Sequence, residues 1–121
     1  MRENRISSRT KLMRVVARIS ADGITWEDIS SRDISDGGIG FTAKEPFTKG
    51  NIYKINGEIT DFMKTMELDC DVLILNVEED TEGYMHHCKF LNMSHSSHTE
   101  LGVFIELLVS KFPNLAEDVA G

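Results

Sequence analysis

Between positions 66 and 77 apolar and acidic residues alternate almost one for one. Met66, Leu68, Cys70, Val72 and Ile74 fall on one side, and Glu67, Asp69 and Asp71 on the other. A period of two marks a strand with one face buried and one in water, because successive side chains of an extended chain point to opposite faces. A helix would scatter these apolar groups around its circumference. The same period recurs at Met13, Val15, Ala17 and Ile19, with Arg14 and Arg18 opposite, and again at Tyr84, His86, Cys88 and Phe90. Ile24 to Ile34, after the Asp22-Gly23 turn signal, predicts an irregular strand. Ile39 and Phe41 predict a short one after Gly37-Gly38, and Ile52 to Ile59 a weaker one beyond Pro46 and Lys49-Gly50-Asn51. Glu78 to Gly83 is a polar turn. Six short strands at this spacing imply an antiparallel barrel or sandwich.

The period then changes. Ser97-His98-Thr99-Glu100 fits a capping box, in which the serine oxygen accepts from an early helical N–H and the glutamate reaches back. Leu101, Phe104, Ile105, Leu108 and Phe112 follow at helical spacing, and Pro113 stops the helix. One amphipathic helix after an all-β run packs on the barrel or over its open end. The 121 residues fit one domain. Residues 1–11 show no apolar periodicity and are expected to form a flexible basic arm. Residues 12–113 form the β domain with its helix, and residues 114–121 a loose tail.

Charge narrows the partners. The net charge of −7 argues against a nucleic-acid polymer, whose affinity comes mostly from phosphate neutralisation. Residues 1–18 nevertheless carry six basic groups and one acid, while the other 103 carry seven basic and nineteen acidic groups. A basic arm on an acidic body repels a long polyanion and still clamps a small one, its field confined within about 8 Å by physiological salt. No apolar run approaches the roughly 20 residues that span a bilayer. Two cysteines, Cys70 and Cys88, make no disulfide framework. The expectation is a cytoplasmic protein without membrane insertion, a monomer or weak dimer.

Two constellations carry chemistry. One is Arg5-Ile6-Ser7-Ser8-Arg9; the other is Asp33-Ile34-Ser35-Asp36-Gly37-Gly38 at the end of the second strand. Alternation puts Asp33 and Ser35 on one face and sends Ile34 to the core. A carboxylate is a pure acceptor able to take two N–H donors from one base edge, and a serine hydroxyl donates or accepts. Guanine offers two such adjacent donors, at N1 and N2. Guanidinium groups pair bidentately with phosphate and stack on π faces. Together they describe a site for a small, doubly charged, guanine-containing ligand. Plain turn chemistry at Asp33 and Ser35, with solvated arginines, is the competing reading.

Other groups are weaker candidates. His86, His87, Cys88, His95 and His98 are metal-ligand types, but His86 and His87 point to opposite faces of a strand, and no metal is assigned. His86 is expected to be half-buried and His87 at the surface. Cys70 and Cys88 fall on core faces as inert fillers, and Met63, Met66 and Met85 are assigned to packing. Trp26 is left open between core and site rim. Ser35 lies in no Gly-x-Ser-x-Gly elbow and no paired carboxylates accompany it, so no catalysis is expected.

The two constellations in order, Arg5-x-x-x-Arg9 and then Asp33-x-Ser35-x-x-Gly38, resemble the two-part signature of PilZ domains, bacterial receptors for cyclic di-GMP. The stretch from Arg32 to Phe41 is typical of that family, and Cys88-Lys89-Phe90-Leu91 is similar to its last strand. The resemblance implies a six-stranded antiparallel β-barrel with a C-terminal helix, no catalysis and no cofactor. It implies that Arg5 and Arg9 grip phosphates and stack on guanine, that Asp33 accepts from a guanine edge, that Ser35 adds a polar contact, and that Gly38 holds the turn. Asn4 stands where many members carry another arginine, which leaves one or two ligand molecules open. Arg2, Asn4, Arg14 and Gly37 are the secondary contact candidates. The implied mechanism is an arm ordered by cyclic di-GMP that presents a new surface to a downstream protein. The alternative is a module of the same fold that binds proteins without appreciable nucleotide affinity.

Overall fold

A computed structural model describes residues 5–7, 13–61 and 64–111. Its elements are β1 (Arg5–Ser7), β2 (Met13–Ser20), β3 (Glu27–Ser35), β4 (Gly38–Ala43), β5 (Ile52–Asp61), β6 (Thr65–Asp80), β7 (Gly83–Leu91) and α1 (His95–Lys111). All strand pairings are antiparallel. The order β3-β2-β5-β6-β7-β4 is closed by a β3–β4 ladder, giving a six-stranded barrel. Closure removes the two edges that an open sheet would expose.

The inward set matches the alternating apolar residues. Ala17, Ile19, Ile55, Ile59, Met66, Leu68, Val72 and Ile74 are buried, with Cys70 and Cys88 among them. Leu101, Phe104 and Ile105 of α1 join the same core, so the helix lays its apolar stripe on the barrel. Lys64 adds a cation–π contact to the Phe104 ring at 5.6 Å.

Two ladders slip, and both slips matter for the site. Ser31 pairs with Phe41 but Asp33 with Gly40, leaving Arg32 as a bulge residue in β3. Ile74 pairs with Cys88 but Asn76 with His87, leaving Leu75 as a bulge in β6. A bulge adds one residue to one strand and so changes which parity faces inward. Ser31 and Ile34 are therefore both buried although they differ in parity, and in β6 the core side passes from even-numbered Ile74 to odd-numbered Val77, which packs against the core. The irregularity of the second predicted strand has this cause.

Local boundaries differ from the sequence expectation in three places. Ile24 is 84% exposed and outside β3, because Asp22 Oδ1 accepts from the Ile24 and Thr25 amides, both at 2.8 Å, and holds a wide turn. Gly23 closes it with a φ of 78°. The helix starts at His95, not Ser97: Ser94 is its N-cap, its Oγ accepting from the Ser97 amide at 3.1 Å. Asn92, in the left-handed region at φ 55°, turns the chain from β7 into that cap. Finally, Arg5–Ser7 forms a strand within the stretch read as a flexible arm. The rest of residues 1–11, and residues 114–121, lie outside the described residues.

Candidate functional site

The edge of β3 is shared by two strands. Its first part pairs with β2, from Ala17↔Ile29 to Ile19↔Glu27. Its last part pairs with β1, with Arg5 opposite Ser35, Ile6 opposite Ile34 and Ser7 opposite Asp33. The two constellations, far apart in sequence, thus meet on adjacent strands. Arg5 has its backbone beside the Asp-x-Ser segment. Arg9, Arg2 and Asn4 lie outside the described residues.

Asp33 and Ser35 do different work. Ser35 is fully buried, and its Oγ accepts from the Gly37 and Gly38 amides, both at 3.2 Å. That hydroxyl shapes the turn between β3 and β4. The Gly37 carbonyl accepts from the Phe90 amide at 2.9 Å, tying the turn to β7. Gly38 must be glycine because a Cβ there would meet the Cys88 carbonyl oxygen at 2.1 Å. Asp36 lies against α1, its Oδ2 4.0 Å from where a Cβ of Gly102 would stand.

Asp33, past the Arg32 bulge, faces outward and is half-buried. Its carboxylate lies over Gly40 of β4. A Cβ at Gly40 would stand 2.8 Å from Asp33 Oδ1, 3.0 Å from Oδ2 and 2.8 Å from Met85 Cε. Gly40 is thus part of the site's construction, and sequence inspection missed it. The signal available was a third glycine in the Gly-Gly-Ile-Gly run, inside a strand where glycine is unfavourable. Arg32 itself turns away, pairing with Asp80 at 3.2 Å and Glu82 at 3.9 Å on the β6–β7 hairpin.

The remaining candidates separate from this face. Arg14 is exposed on β2 and lines a 320 Å³ cleft with Arg18, Asp28 and Glu58. Trp26 is half-buried beneath Arg18, whose guanidinium lies 4.7 Å from the ring centroid. It sits at the opposite end of β3, about 23 Å from Asp33 along an extended chain, so it belongs to neither core nor motif. His86 is fully buried, not half-buried. It stacks on Phe41 with centroids 4.6 Å apart, and its Nε2 accepts from the Phe47 amide at 2.9 Å. Desolvation holds its pKa below the ordinary histidine value. His87 faces solvent, as strand alternation requires. Burial, with Asp71 and Asp69 adjacent, pushes the Cys70 thiol up to about 12, so it is a packing residue and not a nucleophile. Among the described residues no three His, Cys, Asp or Glu side chains gather to hold a metal ion. None of the described helices is long and apolar enough to cross a membrane.

The described residues thus form a six-stranded barrel with one helix packed on it, and β1, with Arg5, lies beside the Asp33-x-Ser35-x-x-Gly38 segment. The PilZ domain family matches residues 3–107, and the chain belongs to that family. Solved structures share the fold at low identity. The Bacillus subtilis inhibitor of motility (MotI/DgrA) superposes with a TM-score of 0.76 at 13% identity over 93% of this chain and 52% of its own. YcgR of Escherichia coli in complex with c-di-GMP gives 0.70 at 18% over 94% and 48%. The K. pneumonia MrkH–c-di-GMP complex gives 0.74 at 18% over 94% and 54%. The chain therefore spans about half the length of these proteins. No curated protein matches the sequence.

Proposed function

We propose that the chain is a receptor for cyclic di-GMP that binds the nucleotide without turning it over and passes the signal to a protein partner. The observation that supports this reading is the β1–β3 pairing, which sets Arg5 opposite Ser35 and Ser7 opposite Asp33. Cationic and acceptor halves of one recognition motif thereby share one stretch of sheet. In this reading Asp33 accepts from guanine N1–H and N2–H, which adenine does not present together. Arg5 and Arg9 take phosphate and base faces. Ser35 and Gly38 keep the turn in shape. Structures sharing the fold include YcgR and MrkH with c-di-GMP, which supports the choice of ligand.

Arg9 lies two residues beyond β1, so contact through it fixes the leader past the strand. Ligand binding shifts the leader's equilibrium only by its differential affinity for the fixed state. The fixed leader and the bound nucleotide together form the surface that a partner reads.

Calorimetric titration with cyclic di-GMP tests this directly. Each charge-assisted contact is worth about 1.5–3 kcal/mol and a stacked guanidinium about 0.5–2. Arg5→Ala and Arg9→Ala are therefore each expected to weaken binding by about tenfold to several-hundredfold. The diadenosine analogue is expected to bind far more weakly, and the ligand to be recovered intact. A wild-type chain that gives no binding isotherm would act instead as a protein-binding module of the same fold.

A further inference from the structure

Gly40 has no backbone reason to be glycine. It is not among the glycines in the left-handed region, which are Gly23, Gly50 and Gly83. At Gly38 and Gly57 a side chain is excluded by backbone carbonyls at 2.1 Å. At Gly40 the nearest atoms are instead the ends of two side chains, the Asp33 carboxylate and the Met85 methyl. Glycine weakens a strand interior, and its presence there marks a bulge, a bend, or close approach of a ligand or another backbone.

Register carries the point further. Asp33, Gly40, His87 and Asn76 lie in one row across β3, β4, β7 and β6. The two bulge residues, Arg32 and Leu75, stand one at each end of that row. Bulges are concentrated next to functional sites because they re-aim side chains. With strands about 4.8 Å apart, the strip from Asp33 to His87 is about 10 Å wide, the scale of a bicyclic base, and has no side chain of its own at its centre. Met85 Cε reaches over that centre from β7. A thioether is flexible, polarizable and favourable against an aromatic ring.

We propose that this strip seats the guanine: its edge on Asp33, its face against the Met85 thioether, and His87 bounding the far end. Gly40 acts as a positioning residue, leaving the carboxylate room to meet the base. Met85 is a ligand contact, not only the packing residue that its sequence context indicates. The inference rests on the cyclic di-GMP reading and adds two residues that the sequence motif does not contain.

The test compares wild type, Asp33→Ala, Gly40→Ala, Met85→Ala and Met85→Leu by calorimetry with cyclic di-GMP, with melting temperature as the control for folding. Gly40→Ala is expected to displace the carboxylate and weaken binding by about 10- to 100-fold. Met85→Ala is expected to cost about two- to tenfold, and Met85→Leu less. In a methyl-13C methionine NMR spectrum, where Met85→Leu identifies the signal, the Met85 methyl is expected to move upfield under the ring current of the base. Should Gly40→Ala prove unstable, the Met85 variants and the methyl shift decide alone. Loss of binding in Asp33→Ala, with wild-type affinity in Met85→Ala and a stationary Met85 methyl, overturns the seat and leaves the receptor reading intact. A wild-type chain that does not bind overturns both.

Discussion

The two walls of the barrel are built to different standards. On one, the β5–β6 ladder runs from Ile52↔Leu73 to Thr60↔Thr65 without a slip. Its inner face is apolar, with Ile55, Ile59, Met66 and Leu68 buried, and its outer face carries exposed Glu58, Glu67 and Asp69. On the other, formed by β3, β4, β7 and the far half of β6, the ladders slip twice. Glycines interrupt β4, and two polar side chains, Ser35 and His86, are completely buried. The irregular wall spends stability on bulges, glycines and buried polar groups, and it is the wall that carries the signature residues. Departures from regularity of this kind concentrate where a protein meets its ligand.

Substitutions can break or sharpen this contrast. The largest effect is expected on the regular wall: Leu68→Ala removes a fully buried side chain and should cost about 2–5 kcal/mol in urea unfolding, with cyclic di-GMP affinity unchanged in the folded fraction. Equal losses of affinity and stability would abolish the distinction between the walls.

A smaller effect is expected from pH on the irregular wall. His86 has a folded pKa below its unfolded value of about 6.5, so below that pH the unfolded chain binds more protons than the folded one. Stability is then lost as pH falls through about 6.5 towards the folded pKa, and no further loss from this group follows below it. Melting temperatures between about pH 5 and pH 8 should show this slope, and His86→Phe should flatten it. The smallest effect belongs to the outer face of the regular wall, where Lys54 and Asp71 approach to 3.9 Å with the lysine side chain 57% exposed. Lys54→Ala should change stability by about 0–1 kcal/mol and diminish further in salt.

The contrast also explains what could be read from the sequence. Met66 to Ile74 announce their strand because no bulge intervenes, and the barrel's element order follows from such runs. Ile24 to Ile34 gave only an irregular strand, since the Arg32 bulge breaks parity and the Asp22 turn removes Ile24 from the strand. Ser97 looked like a cap because a glutamate follows at the right spacing, yet Ser94 supplies the oxygen. Asp33 and Ser35 were legible as a pair, but their division of labour was not. It depends on the turn amides that Ser35 binds and on the vacancy at Gly40, and both are set by chain segments distant from the motif. β1 was hidden because three residues are too few to show a period, and its partner strand becomes accessible only where β2 has ended its pairing.

The single extra residue in β3 makes the direction of Asp33 a matter of counting. Were Arg32 paired in the ladder as an ordinary strand residue, strict alternation from buried Ser31 would turn Asp33 inward and Ile34 outward; the looped-out residue reverses both. The outward carboxylate is thus a product of ladder irregularity and not of the motif letters, and a tally of identical letters would not register it.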